Sequence, residues 1–238
     1  MKKRLGIINL VTDLRKHIAK DRAKYAYFQT LGKIENLITY ELAEVARNKY
    51  HTLSLVNCGN KGERKYDVMF YNPKNLKLEE NRNGSDYSSY PEKASTVIEL
   101  KYINNVHRSS SYDATDNISK DISTLSKQMK INKMKQGGIP IALSSRTKSV
   151  YGIVITSFVH NDKFSSEKVR HNKAAFDKRI IETLDHFGLY YVDTISKKSV
   201  TAYDEQEIQL GKETYRATLR FYLVWKPSYY KADIKKAA

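Results

Sequence analysis

Residues 96–103, Thr-Val-Ile-Glu-Leu-Lys-Tyr-Ile, form an apolar, β-branched run that is typical of a buried strand. Two charged residues, Glu99 and Lys101, lie within this run. Because side chains alternate between the two faces of a strand, positions two apart point the same way. The pattern therefore predicts a carboxylate and an ammonium group side by side on one face of a strand that is otherwise buried.

A second apolar run with an acid in it lies upstream, at residues 66–71, and its acid is Asp67. Phosphodiester hydrolysis needs an activated water and neutralisation of the phosphate charge, and Mg²⁺ bound by oxygen ligands supplies both. We expect Asp67 and Glu99 to be metal ligands, and Lys101 to orient the water or stabilise developing charge. The carbonyl of Leu100, whose side chain faces away, is a further candidate ligand. The prediction requires the two strands to be neighbours although 32 positions separate Asp67 from Glu99.

The charge balance favours a polyanionic partner. The chain has 238 residues, with 42 Lys and Arg against 26 Asp and Glu, a net charge of +16, and 18 tyrosines. This combination indicates nucleic acid rather than a membrane surface, because the basic residues are spread along the chain instead of gathered on one amphipathic helix. No apolar run approaches the roughly 20 residues of a membrane span, so we expect a cytoplasmic protein. The single cysteine, Cys58, excludes an internal disulfide and a cysteine zinc site.

Hydrophobic periodicity and turn signals predict alternating helices and strands. A second helix is expected from Leu31 to about Tyr50, capped by Thr30 and with a buried stripe of apolar residues. The stripe consists of Leu31, Ile34, Ile38, Leu42 and Val45. The other predicted helices are residues 5–28, 118–134 and 165–186; the predicted strands are residues 52–56, 67–71, 96–103, 139–143, 150–158, 190–192, 199–203 and 218–225; residues 74–95 are predicted to be an irregular loop.

The order of these elements resembles the PD-(D/E)XK nuclease superfamily, which has the restriction-endonuclease-like fold. In that pattern a helix carries a glutamate, a strand carries the Asp, the next strand carries Glu-x-Lys, and a helix and a strand follow. The corresponding residues here are Asp67 and Glu99-x-Lys101, within residues 31–158. The resemblance implies an α/β fold with a three-layer core, in which helices flank a central mixed sheet, plus extra C-terminal strands. It also implies Mg²⁺-dependent cleavage of DNA, with Mn²⁺ as a substitute.

The resemblance also implies a glutamate on the second helix as a further metal ligand. Glu35 fits best because it lies at the edge of the apolar stripe; Glu41 and Glu44 remain open alternatives. On this interpretation the chain is one nuclease domain, with an N-terminal helical extension at residues 1–30, a catalytic core at residues 31–158, and a C-terminal helix and strands at residues 159–238. Four basic residues flank the site and are expected to bind DNA phosphates: Lys61, Arg64, Lys65 and Arg108.

Three functions compete on these observations. The first is a restriction-type endonuclease that cuts both strands of a specific site, which favours a homodimer because two related sites commonly cut a duplex. The second is a structure-selective nuclease such as a Holliday junction resolvase. The third is a nucleic-acid-binding protein without catalysis, for which the charge and the tyrosines alone are sufficient.

Overall fold

A computed structural model describes residues 6–32, 34–50, 52–58, 66–71, 76–80, 87–91, 94–105, 114–129, 149–161, 172–191 and 200–225. Five helices and nine strands lie within these residues. The helices are α1 Ile7–Ile18, α2 Arg22–Thr30, α3 Ile34–Tyr50, α4 Ala114–Gln128 and α5 Lys173–His186. The strands are β1 Leu53–Cys58, β2 Tyr66–Tyr71, β3 Leu76–Glu80, β4 Tyr87–Pro91, β5 Ala94–Asn104, β6 Ser149–His160, β7 Tyr190–Tyr191, β8 Val200–Leu210 and β9 Glu213–Trp225.

Seven of the strands form one mixed, open sheet in the order β1-β2-β5-β6-β9-β7, and β8 shares the outer edge of β9 with β7. The β5–β6 pair is parallel and every other pair in this sheet is antiparallel. Parallel strands need a crossover connection, and α4 lies in the segment that joins β5 to β6. The predicted α/β class with a central mixed sheet is confirmed.

Helices cover both faces of the sheet. On one face, α1, α2 and α3 pack on side chains that include Ile98 and Leu100 of β5. On the other face, α4 and α5 pack on side chains that include Val97 and Ile103 of the same strand. Because alternate residues of β5 enter the two apolar clusters, the strand is buried on both sides, which explains its near-continuous apolar sequence.

The N-terminal region contains two helices rather than the single one predicted for residues 5–28. The Asp21 side chain accepts a hydrogen bond from the backbone nitrogen of Lys24, which caps the start of α2 and separates it from α1. Leu31 is also not part of the buried stripe of α3: it is 39% exposed and lies before Gly32, whose φ of +65° ends α2. The other four residues predicted for that stripe are buried.

Two strand predictions differ from the structure. The polar loop predicted at residues 74–95 contains a two-stranded antiparallel sheet, in which Leu76 of β3 pairs with Pro91 of β4. Asn83-Gly84, between these strands, is a hairpin signal that the loop prediction overlooked. The strands predicted at residues 199–203 and 218–225 extend towards each other as β8 and β9, joined at Gly211, whose φ is +63°. The predicted strand at residues 139–143, and residues 130–134 and 165–171 of two predicted helices, lie outside the described residues.

A glycine brings α4 close to the strand beside β5. Gly152 of β6 is the register partner of Glu99. A Cβ at this position would lie 2.7 Å from Val224 Cγ2, 3.0 Å from Met129 Sδ and 3.1 Å from Leu125 Cδ2. Since Leu125 belongs to α4 and Met129 follows it, the absent side chain is what lets α4 approach the sheet beside the charged residues of β5.

Candidate active site on strand β5

Asp67 and Glu99 lie on neighbouring strands. β2 and β5 pair antiparallel, and the last pair in their ladder is Val68–Ile98, so Asp67 and Glu99 occupy the next position on the two strands, opposite each other. In the part of the chain that the structure describes, no strand pairs with that edge of β5 beyond Ile98. The strand therefore presents backbone groups along an open edge, immediately next to Asp67.

Two carboxylates occupy this open edge of β5. The Leu100 backbone nitrogen donates to Asp67 Oδ2 at 2.7 Å, and the Tyr102 backbone nitrogen donates to Glu35 Oε2 at 2.9 Å. The N–H and C=O of one strand residue point to the same side, so the Leu100 carbonyl shares the edge with both acids. The structure thus brings together Asp67, Glu35 and the Leu100 main chain, although Asp67 comes from β2 and Glu35 from α3.

Glu99 and Lys101 lie on the face of β5 that α4 covers. Glu99 is 2% exposed, and a carboxylate this deeply buried requires compensating partners. Lys101 Nζ forms an ion pair of 3.1 Å with Asp121 Oδ1 of α4, and these two side chains are 29% and 31% exposed. Lys101 is therefore held against α4 by an acid that the sequence interpretation did not include.

Asp121 has a recognisable sequence signal. It lies three residues after Ile118 and four before Leu125, both of which are buried on α4. An acid at the border of a buried helical stripe is unusual and points to a role beside the core. Glu35 has the same relation to the apolar stripe of α3.

The structure places only one of the three candidate glutamates of α3 at this edge. Glu35 contacts β5, as described above. Glu41 lies on another side of the helix, against α1 and α2. Glu44 is exposed and accepts a hydrogen bond from Asn48 at 3.4 Å.

Negative charge is concentrated around Glu35. Burial raises the pKa of Glu35 above its ordinary value, and the nearby charges of Asp67 and Asp121 raise it further. The hydrogen bond from the Tyr102 backbone nitrogen and the charge of Lys101 oppose this shift but do not cancel it. Added positive charge at this edge would therefore favour the ionised form of Glu35.

Among the residues that the structure describes, no group of three or more His, Cys, Asp or Glu side chains is arranged to hold a metal ion. The two carboxylates at the edge accept hydrogen bonds from different amides, Asp67 from that of Leu100 and Glu35 from that of Tyr102. Those amides are two residues apart, about 6.6 Å along the strand. Oxygen ligands of one Mg²⁺ ion lie within about 4.2 Å of each other, twice the metal–oxygen distance.

The four predicted DNA-binding residues, Lys61, Arg64, Lys65 and Arg108, lie outside the described residues. None of the described helices is both long and apolar enough to cross a membrane. In comparisons with protein families, curated proteins and solved structures, nothing matched the chain.

Glu41 holds the first three helices together. Its carboxylate accepts hydrogen bonds from Tyr25 at 2.8 Å and Lys24 at 3.2 Å, and it pairs with His17 Nε2 at 2.8 Å. Burial alone would raise the pKa of Glu41, but the hydrogen bonds from Tyr25 and Lys24 and the charge of His17 outweigh burial and lower it. Glu41 is thus a structural acid that links α1 and α2 to α3.

Replacing Glu41 with alanine is expected to destabilise the protein by about 1–3 kcal/mol, because the hydroxyl of the buried Tyr25 loses its acceptor. A lowered carboxylate pKa contributes stability above the unfolded value near 4.5, and this contribution is lost as the pH falls through the folded value. The gap in unfolding free energy between wild type and Glu41→Ala, measured by urea denaturation, should therefore be largest near neutral pH and shrink below about pH 4.5. The exposed Glu44→Ala should differ from wild type by no more than about 0.5 kcal/mol at any pH.

Proposed function

We propose that this protein is a metal-dependent DNA endonuclease of the PD-(D/E)XK type that hydrolyses phosphodiester bonds. The observation that carries the proposal is the placement of Asp67 and Glu35 along one open edge of β5, on the amides of Leu100 and Tyr102, next to the Glu99-x-Lys101 pair. The order of elements supports it. A helix with a glutamate, a strand with the Asp, a strand with Glu-x-Lys, and then α4 and β6 occur in the order that the resemblance implies, with β1 before the Asp strand and the β3–β4 pair inserted before β5.

The donor atoms at this edge fit Mg²⁺. Carboxylate oxygens of Asp67 and Glu35 and the main-chain oxygen of Leu100 are hard ligands, and Glu99 is the neighbouring acid. In this proposal these four residues would hold the ion after the carboxylates of Asp67 and Glu35 leave the amides of Leu100 and Tyr102 and move closer together. Mg²⁺, when bound, would supply an activated water and neutralise charge on the phosphate, and Mn²⁺ would substitute for it. Burial is the main cause of the raised pKa of Glu35, and the repulsion from Asp67 and Asp121 that adds to it is a cost that a bound cation would relieve.

Lys101 is the cation that stabilises charge developing on the phosphate or orients the attacking water. Lys101 and its ion-pair partner Asp121 both have side chains that are about one-third exposed. Ion pairs with this exposure contribute at most about 1 kcal/mol to stability. Redirecting the ammonium from Asp121 to a phosphate oxygen therefore costs little. Asp121 keeps the long side chain of Lys101 at the site when no substrate is present.

The test is incubation of the purified protein with supercoiled plasmid in Mg²⁺, in Mn²⁺ and in EDTA. Nicked or linear plasmid should accumulate with either ion and not in EDTA. Undiminished cleavage in EDTA would contradict the metal requirement. Binding without cleavage, across plasmid, linear duplex, four-way junction and single strands with any divalent ion, would favour the non-catalytic alternative.

The same substrates separate the two nuclease roles. A restriction-type enzyme should yield discrete fragments from a linear duplex, whereas a junction resolvase should prefer the four-way junction. Cutting both strands of a site is the reason to expect a homodimer, which sedimentation with and without a cleavable duplex would check.

A further inference from the structure

The junction between α1 and α2 is the most basic part of the described helices. Within residues 15–24 there are five basic residues and a single acid, Asp21. The basic residues are Arg15, Lys16, Lys20, Arg22 and Lys24. Each of α3, α4 and α5 carries at least as many acidic as basic residues. The local excess is therefore a property of this junction and is not shared by the other described helices.

Three of these cations face solvent, and we call Lys16, Lys20 and Arg22 the basic elbow. All three side chains are exposed, and none forms an ion pair with another described residue. Asp21, the acid between them, caps α2 through the Lys24 backbone nitrogen. Three exposed cations within seven residues, against the single acid Asp21, leave a net positive charge on this surface.

The basic elbow has a fixed position relative to the candidate active site. Glu41 binds His17 at the end of α1 and Lys24 at the start of α2, so both sides of the junction are attached to α3. Glu35 is six residues earlier on the same helix, about 9 Å along its axis. Because Glu41 lies on another side of α3 from Glu35, the width of the helix, about 10–12 Å, adds to this axial separation, and the sum is still under the roughly 34 Å of one duplex turn. One nucleic acid molecule can therefore extend from the site to this surface.

We propose that the basic elbow binds phosphates of the nucleic-acid backbone and so positions the substrate of the nuclease proposed above, on which this inference rests. A membrane surface fits less well. The apolar side of α1, formed by Leu10, Leu14 and Ile18, is packed in the protein core, so it is not free to enter a bilayer. Contacts of Lys and Arg with phosphate carry no sequence information and act on affinity and orientation.

The test replaces Lys16, Lys20 and Arg22 together with glutamine, which removes three charges but retains helix propensity. A matched control replaces Lys127, Lys178 and Lys212 with glutamine, because these exposed lysines lie on α4, α5 and the β8–β9 turn. Duplex affinity is measured in EDTA between 50 and 200 mM salt, after circular dichroism has shown that both proteins are folded. The slope of log affinity against log salt should fall by up to about 2.7 for the elbow variant, or about 0.9 for each phosphate that is no longer neutralised, and should change little for the control.

Wild-type affinity and slope in the elbow variant would overturn the inference, as would equal losses of affinity in the two triple variants. Elbow-dependent binding to vesicles of anionic lipid, with no elbow-dependent binding to duplex, would also overturn it in favour of a membrane. Because binding in EDTA needs no catalysis, the two proposals fail separately. If binding depends on the basic elbow but the protein cuts no substrate, the nuclease proposal is wrong and the proposal that this surface binds phosphates stands.

Discussion

Replacing Asp67 with asparagine is expected to lower the rate of plasmid cleavage by about 10²–10³-fold, the loss typical of one preorganised electrostatic group. Asparagine keeps an oxygen that can accept the hydrogen bond from the Leu100 backbone nitrogen, which Asp67 now accepts at 2.7 Å. It removes the negative charge that would hold a divalent cation at the edge of β5. The rate should be measured at saturating Mg²⁺, and the melting temperature should remain near that of wild type.

The matched control for this change is Asp185→Asn, the same substitution at an exposed position on α5, which should cut at the wild-type rate. Cleavage by Asp67→Asn within threefold of wild type would remove Asp67 from the site. A glutamine series on α3 extends the test, because Glu35, Glu41 and Glu44 share one helix but have different surroundings. Glu35→Gln should lose activity to a similar degree, Glu41→Gln should chiefly lose stability, and Glu44→Gln should lose neither.

Replacing Lys101 with methionine is also expected to reduce cleavage by about 10²–10³-fold, while duplex binding changes by less than about threefold. Methionine approximates the length of the lysine stem but cannot donate to a phosphate oxygen or a water. Because the ammonium acts on charge that develops in the transition state, its removal should lower kcat far more than it raises KM. Single-turnover cleavage together with affinity measured in Ca²⁺ separates these two effects.

The Lys101 prediction has an internal control in its partner. Asp121→Asn releases Lys101 from the 3.1 Å ion pair but leaves the ammonium in place, so the cleavage rate should fall less, by roughly tenfold, the lower end of the range for a residue that orients a catalytic group. In the double variant the second substitution should add little, since the two residues act as a unit. If the fold loss of cleavage rate in the double variant equals the product of the two single losses, Asp121 acts independently of Lys101.

The sequence by itself predicted β5 and most of the candidate site. The near-continuous apolar run around Glu99 and Lys101 predicted a buried strand, and the period of two assigned these two residues to one face without knowledge of the fold. The same logic selected Glu35 from the edge of the α3 stripe. Hydrophobic periodicity and composition predicted the wrong element where a local capping or turn signal competes with them. The Asp21 cap divides the first helix, and Asn83-Gly84 favours a hairpin in a segment that composition alone describes as a loop.

Only the tertiary structure determined which groups meet. No sequence pattern links Asp67 to Glu99 across 32 positions, because strand pairing depends on long-range packing and register. No pattern links Lys101 to Asp121 either, because that contact forms only when α4 packs on the sheet beside β5. Sequence determined the chemical character of β5, since the residues of one strand carry it. The structure determined the two strands and two helices that supply its partners, because those contacts form only when distant segments pack on the same sheet.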